Sequence, residues 1–147
     1  MESQRIFISL LHPLAQVPTY AHYNDAGADL ACVEDVVLAP GERALIPTGI
    51  AIAIPDGYVA LVHPRSGLAV KHGIGMVNAP GTIDAGYRGE VKVLLINHDQ
   101  RETVTLPAGT RIAQLVIQQV VTGEFIVQDT LDETSRGTGG FGSTGSK

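Results

Sequence analysis

Asp84 and Tyr87 are the residues of this chain best placed to do chemistry. They stand three positions apart in NAPGTIDAGYRGEVKVLLIN, Asn78 to Asn97, between an Asn-Ala-Pro-Gly turn signal and a second turn at Ala85-Gly86. A lone carboxylate at a turn can act as a general base, and a lone ring can offer a flat apolar plate to a small molecule. The β-branched, apolar run VKVLLIN that follows reads as a buried strand. The stretch is therefore expected to form a β-hairpin with the acid and the ring at its tip. A purely structural hairpin would carry the same residue types, and the stretch alone leaves both readings open.

Four further stretches interrupt an otherwise regular pattern. In Pro64-Arg65-Ser66-Gly67-Leu68-Ala69 a strand is expected to run into one or two helical turns, which would aim unpaired N–H groups at an anion. Arg65 adds a cation and Ser66 a hydroxyl, although Ser66 acting only as an N-cap explains the same residues. The context matches neither a nucleophile elbow nor a P-loop, so Ser66 is read as a donor. In Asp25-Ala26-Gly27-Ala28-Asp29-Leu30, Gly27 permits close backbone approach or positive φ, and a β-bulge with a solvated Asp29 is the simpler alternative. Gln114, in RIAQL, needs polar partners if its strand is buried, as a satisfied core amide would. The tail from Ser135 to Gly145 is rich in Gly, Ser and Thr, too polar to order itself, yet it contains Arg136 and Phe141. One guanidinium and one aromatic on glycine-rich backbone suit a phosphate and a planar base.

These residues must be positioned by strands. No segment sustains a helical period, and the one short helix expected spans Ser66 to Lys71, ended by Gly73. Strands are expected at Arg5–Ile8, Val36–Leu38, Ala44–Ile54, Tyr58–Val62, Val91–Ile96, Val104–Leu106, Arg111–Val121 and Phe125–Val127. Short strands separated by Gly/Pro turns indicate an all-β sandwich or barrel. The 147 residues suffice for one domain with a real core, and 44% apolar with 17% charged residues is a globular composition.

The net charge of −5 argues against a nucleic-acid partner. Scattered cations beside glycines (Arg65, Lys71, Arg88, Lys92, Arg111, Arg136) suit a small phosphorylated ligand instead. No run reaches the roughly 20 apolar residues of a membrane span, so no membrane association is expected. The first residues lack a signal-peptide pattern, and a single cysteine, Cys32, suits a reducing cytoplasm. The five histidines do not fall at zinc-ligand spacing.

Taken in order, AGADL, PRSGLA, NAPGTIDAGYRGE, RIAQLVIQ and RGTGGFGSTG resemble the five motifs of the trimeric dUTPases, in the wording of bacterial members. The likeness covers nearly the whole chain. It implies a jelly-roll β domain over residues 1–130 and a flexible tail over 131–147 that closes over the active site. It also implies a homotrimer with active sites shared between subunits, acting on dUTP with Mg²⁺. Hydrolysis would give dUMP and pyrophosphate by water attack on the α-phosphorus, limiting uracil incorporation into DNA and supplying dUMP for dTMP synthesis.

By the same resemblance, Asp84 activates the water and Tyr87 packs on the deoxyribose, leaving no room for a 2′-hydroxyl. Asn78 and the backbone near Thr82 and Ile83 take the uracil edge. Arg65, Ser66, Gly67 and Gln114 hold the phosphates, Arg136 the γ-phosphate, and Phe141 stacks on the base. Lys92 is a further substrate contact. Asp29 plays a supporting part, with the metal held by phosphate oxygens and water and touched by Asp29 at most through water. A dCTP deaminase of the same fold would need an acid such as Glu90 beside the base. A non-catalytic nucleotide-binding module would be expected to lack Asp84 or Arg136, and both are present.

Overall fold

The computed structural model describes residues 2–147; Met1, the first residue of the expected β domain, lies outside the described residues. Ten strands and one helix follow in order: β1 (Phe7–Leu10), β2 (Gly27–Ala31), β3 (Val36–Leu38), β4 (Arg43–Ala53), β5 (Tyr58–His63), α1 (Ser66–His72), β6 (Ile74–Met76), β7 (Gly81–Ile83), β8 (Glu90–Asn97), β9 (Val104–Leu106) and β10 (Arg111–Gln119). They form two four-stranded sheets, β1-β4-β8-β6 and β2-β10-β5-β7, with β3 and β9 as a separate pair. The pairings are antiparallel. The all-β expectation with one short helix holds.

The core lies between the sheets because the strands alternate in period two. On β8, Val91, Val93, Leu95 and Asn97 are buried while Lys92 faces out. On β4, Ile50 and Ile52 point inward with Ile54 just beyond the strand, and Ala51 and Ala53 are only half-buried, as the sequence pattern indicates. They meet Leu30, Ala60, Val62, Ala113 and Leu115 of the other sheet in one cluster. Each such Val, Leu or Ile, fully buried, contributes about 1.5–3 kcal/mol.

Three expectations need correction. Asn78 to Asn97 is not a hairpin: β7 pairs with β5 in one sheet, while β8 pairs with β4 and β6 in the other. Asp84–Gly89 therefore crosses between sheets, and the edge strand β7 is satisfied by β5 rather than by its neighbour in sequence. Phe125-Ile126-Val127 forms no strand and stands 97%, 73% and 98% exposed. Among the described residues no strand edge pairs with it, and an unpaired strand leaves its backbone polar groups without a ladder. Finally, Gly27–Ala31, Ile74–Met76 and Gly81–Ile83 are strands that composition does not reveal, because glycine or a run of only three residues weakens the signal.

Candidate functional site

The first group of site residues surrounds a cavity of about 260 Å³ between the edge strands of the two sheets. Asn78, Thr82, Ile83, Tyr87 and Lys92 line it, with Val62, Met76 and Val91 among the apolar residues. Asp84 follows directly on β7 and opens a turn in which the Tyr87 N–H donates to the Asp84 carbonyl at 3.1 Å. Its carboxylate is exposed and, among the described residues, makes no hydrogen bond or ion pair, so its lone pairs are available to water. The Arg88 guanidinium closes the same turn by donating to the Ala85 carbonyl at 2.6 Å and the Tyr87 carbonyl at 3.0 Å. Tyr87 is about half-exposed (47%), its hydroxyl donating to the Glu90 carbonyl at 2.9 Å.

The second group gathers where β5 ends beside β10 and β2. Gln114 stands opposite Asp29 on one side and His63 on the other. Asp29, its side chain only 14% exposed, holds two guanidiniums: Arg65 Nε at 3.2 Å from Oδ1 and Arg111 Nη1 at 3.3 Å from Oδ2. Arg65 also donates to the Arg111 carbonyl at 3.2 Å. Two cations on one carboxylate leave a net positive charge at the start of α1, where an anion would be favoured. Arg111, which the sequence shows only as one of several scattered cations, is thus part of the brace that orients Arg65.

The alternatives left open by these motifs are resolved by geometry. Arg65, not Ser66, is the N-cap of α1, and no side chain caps that end, so the Ser66 hydroxyl is not used in capping. Gly73 ends the helix in the left-handed conformation, with φ 66. The Asp25–Leu30 stretch is not a bulge; the register shift in this ladder lies across from it, between Arg111 and Ala113 of β10. Gly27 serves close approach, because a Cβ there would run into Gln114 Oε1. Gln114 is satisfied in part by donating from Nε2 to the Pro64 carbonyl at 3.0 Å.

The two groups do not meet within one chain. Ile83 pairs with Ala60 and Gly81 with Val62, so Asp84 leaves the ladder toward the start of β5. Arg65 and Ser66 follow its other end. About six residues of strand at roughly 3.3 Å each, on the order of 20 Å, separate those ends. Arg136 and Phe141 lie apart from both groups: Arg136 Nε donates to the Gly139 carbonyl at 2.9 Å, and Phe141 is fully exposed with φ 50. Among the described residues, the hydrogen bonds from Glu124 onward close within the tail itself.

No three His, Cys, Asp or Glu side chains converge on a cation position among the described residues. Both Asp29 oxygens face guanidiniums. Glu90, the one acid a deaminase reading could use, is half-buried and accepts the Gly49 N–H at 3.1 Å. Sequence reasoning also passed over Asn97, which is fully buried. Its amide donates to the Leu38 and Glu102 carbonyls at 3.0 and 2.8 Å and its oxygen accepts the Asp99 N–H at 2.9 Å. An Asn ending an apolar strand was the available signal. No helix among the described residues is long and apolar enough to cross a membrane.

Comparison with known proteins gives a consistent result. The dUTPase family model matches residues 14–145. The deoxyuridine 5′-triphosphate nucleotidohydrolase of Thermobifida fusca is 62% identical over 141 residues, covering 96% of this chain and 79% of that protein. The protein of the same name from Bifidobacterium longum is 58% identical over 146 residues, covering 98% and 92%. Among solved structures, a variant of the Staphylococcus bacteriophage 80alpha dUTPase with dUpNHpp superposes with a TM-score of 0.91 at 32% identity, covering 98% of this chain and 100% of that one. A variant dUTPase from phage phi11 of S. aureus, described for its coordination of a structural Mg(II) ion, gives a TM-score of 0.82 at 30% identity over 88% of this chain and 100% of that one.

Proposed function

We propose that this chain, which belongs to the dUTPase family, hydrolyses dUTP to dUMP and pyrophosphate. The observation that carries the reading is the exposed, unpartnered carboxylate of Asp84 beside a cavity whose walls combine polar and apolar groups. A volume of about 260 Å³ suits a pyrimidine and part of its sugar. Asn78 and the backbone of Thr82 and Ile83 hydrogen-bond the uracil edge, so that cytosine would leave buried donors and acceptors unpaired. Tyr87 packs against the deoxyribose and excludes a 2′-hydroxyl, and Lys92 reaches the ligand from β8.

Asp84 takes a proton from water as the water oxygen forms its bond to the α-phosphorus. The bond from that phosphorus to the bridging oxygen breaks, and pyrophosphate leaves with the electron pair. Arg65, the Ser66 hydroxyl, Gly67 N–H and Gln114 hold the phosphates, and Asp29 keeps Arg65 aimed at them. Arg136 takes the γ-phosphate and Phe141 covers the base. Mg²⁺ bound through phosphate oxygens and water would offset the charge of the triphosphate. The reaction limits uracil entering DNA and supplies dUMP for dTMP synthesis.

The site is shared between subunits of a homotrimer. The separation of Asp84 from Arg65 along β5 supports this, since a second copy must bring one group to the other. The exposed Phe125-Ile126-Val127 run supports assembly too, because such a segment gains by burial against another copy. A cytoplasmic setting suits Cys32, a free buried cysteine whose thiol is pushed up by burial and so resists ionisation. The test is to incubate the protein with dUTP, dTTP, dCTP or UTP and Mg²⁺ and to measure pyrophosphate and ammonia. Pyrophosphate from dUTP alone is expected. Ammonia from dCTP, or no dUTP turnover, would overturn the reading.

A further inference from the structure

The glycines of the Asp84–Glu90 crossing are not equivalent. A Cβ on Gly86 would meet nothing within 4 Å, whereas a Cβ on Gly89 would stand 2.5 Å from the Tyr87 hydroxyl oxygen, 2.7 Å from Cζ and 3.0 Å from Cε2. The phenol therefore lies directly on the Gly89 backbone. Neither glycine has a positive φ, so contact with the ring, not backbone conformation, is what requires glycine at 89. The hydroxyl, meanwhile, reaches over Gly89 to the Glu90 carbonyl at 2.9 Å.

That carbonyl is itself firmly placed. Glu90 opens β8 opposite Ala51, just past a register shift in β4 between Pro47 and Ala51. Within the shift, Gly49 takes φ 71 and turns its N–H onto the Glu90 carboxylate, and the buried Thr48 hydroxyl donates to the Val91 carbonyl. The irregularity in β4 thus grips the strand end that receives the phenol.

We propose that Gly89 and the Glu90 carbonyl form a seat for the Tyr87 ring, which makes Gly89 a positioning residue for sugar specificity. This rests on the reading of Tyr87 as the group that excludes a 2′-hydroxyl. A ring held on one face and at its tip presents its other face at a fixed height, and a fixed wall rejects one added oxygen where a swinging one yields to it. Adding a Cβ at 89 lifts the ring from the seat and leaves the rest of the crossing in place.

The experiment measures the ratio of kcat/KM for UTP to that for dUTP, with melting temperature as the check on folding. Tyr87→Ala should raise the ratio roughly tenfold or more. Gly89→Ala should raise it by a large part of that amount, and Gly86→Ala should leave it at the wild-type value. The double variant Tyr87→Ala/Gly89→Ala should match Tyr87→Ala alone, because the glycine acts through the ring. A wild-type ratio in Gly89→Ala, additive effects in the double variant, or an equal rise in Gly86→Ala would overturn the seat while sparing the sugar reading. A wild-type ratio in Tyr87→Ala would sink the sugar reading and the seat with it. Should Gly89→Ala not fold, Tyr87→Phe decides: losing the bond to Glu90 should give an intermediate ratio, and an unchanged one refutes the seat.

Discussion

Tyr87 and Phe141 are two aromatic residues assigned to one ligand, and the chain treats them in opposite ways. Tyr87 has its ring on Gly89, its hydroxyl on Glu90 and a closed turn beneath it. Phe141 stands fully exposed in a segment whose hydrogen bonds, among the described residues, close within it, at a φ of 50 that is unfavourable for an L-residue by about 1–2 kcal/mol. The first group is built before any ligand arrives. On the proposed reading the second would be ordered by the ligand, and the free energy for that would come from the contacts it then makes. The built part would then take the uracil edge and the sugar, and the tail would add Phe141 over the base and Arg136 on the γ-phosphate once the triphosphate is bound.

Asp84→Asn tests the rigid half and should have the largest effect. The amide keeps the shape of the crossing but cannot accept a proton, so turnover should fall by roughly 10²–10⁴-fold with dUTP binding kept. Near-normal hydrolysis would remove Asp84 from the role and leave the rigid half as a binding surface only.

Truncation before Ser135 tests the other half. Melting temperature should stay near the wild-type value, because the tail adds no residue to the core. Turnover should fall on the order of 10²-fold, the usual result of losing alignment at the reacting centre. Unchanged turnover would make the tail an ordinary terminus and erase the contrast. Mixing truncated with Asp84→Asn subunits sharpens it: with confirmed exchange, recovered activity establishes sites shared between copies, and an inactive mixture refutes them.

How much of this was legible in the sequence follows the same division. Strands with strict alternation, such as β8, and the turn chemistry at Ala85-Gly86 are local properties, and they came through. The hairpin did not, because sheet membership of β7 is decided by β5, some twenty residues earlier, and no local pattern encodes a partner. The grip of Gly49 on Glu90 was invisible for the same reason, as was the ion-pair brace of Arg111 on Asp29. Arg136 and Phe141 stand out because they break a glycine-rich composition, but their role is not encoded locally: in the free chain Arg136 donates to the Gly139 carbonyl and Phe141 is exposed.

Asn97→Ala probes the scaffold alone. It strands the buried Leu38 carbonyl and the part-buried Glu102 carbonyl and should cost about 2–4 kcal/mol of stability, read from denaturant unfolding. Activity per folded molecule should stay close to wild type. Loss of activity at full folding would mean that the rigid half is tuned by the far end of β8.

The smallest effect is expected at Asp99, itself half-buried in the loop that follows β8. Its Oδ1 accepts the N–H groups of Glu102 at 2.7 Å and Arg101 at 2.8 Å, and those bonds, Glu102 first, hold the carboxyl below the usual carboxylate range. A depressed folded-state pKa stabilises the fold fully above the unfolded value, about 3.8, and the contribution fades as pH falls through the folded value. Asp99→Asn mimics the protonated group. Its melting temperature should therefore lie slightly below wild type at neutral pH, and the two curves should converge below about pH 3.8. A constant gap down to strong acid would show that the loop is held by shape rather than charge. Carried out on the truncated protein, the same titration should give the same convergence, since the loop owes nothing to the tail. A different result there would mean that tail and domain are coupled in the free protein, and the division between a built half and a recruited half would have to be redrawn.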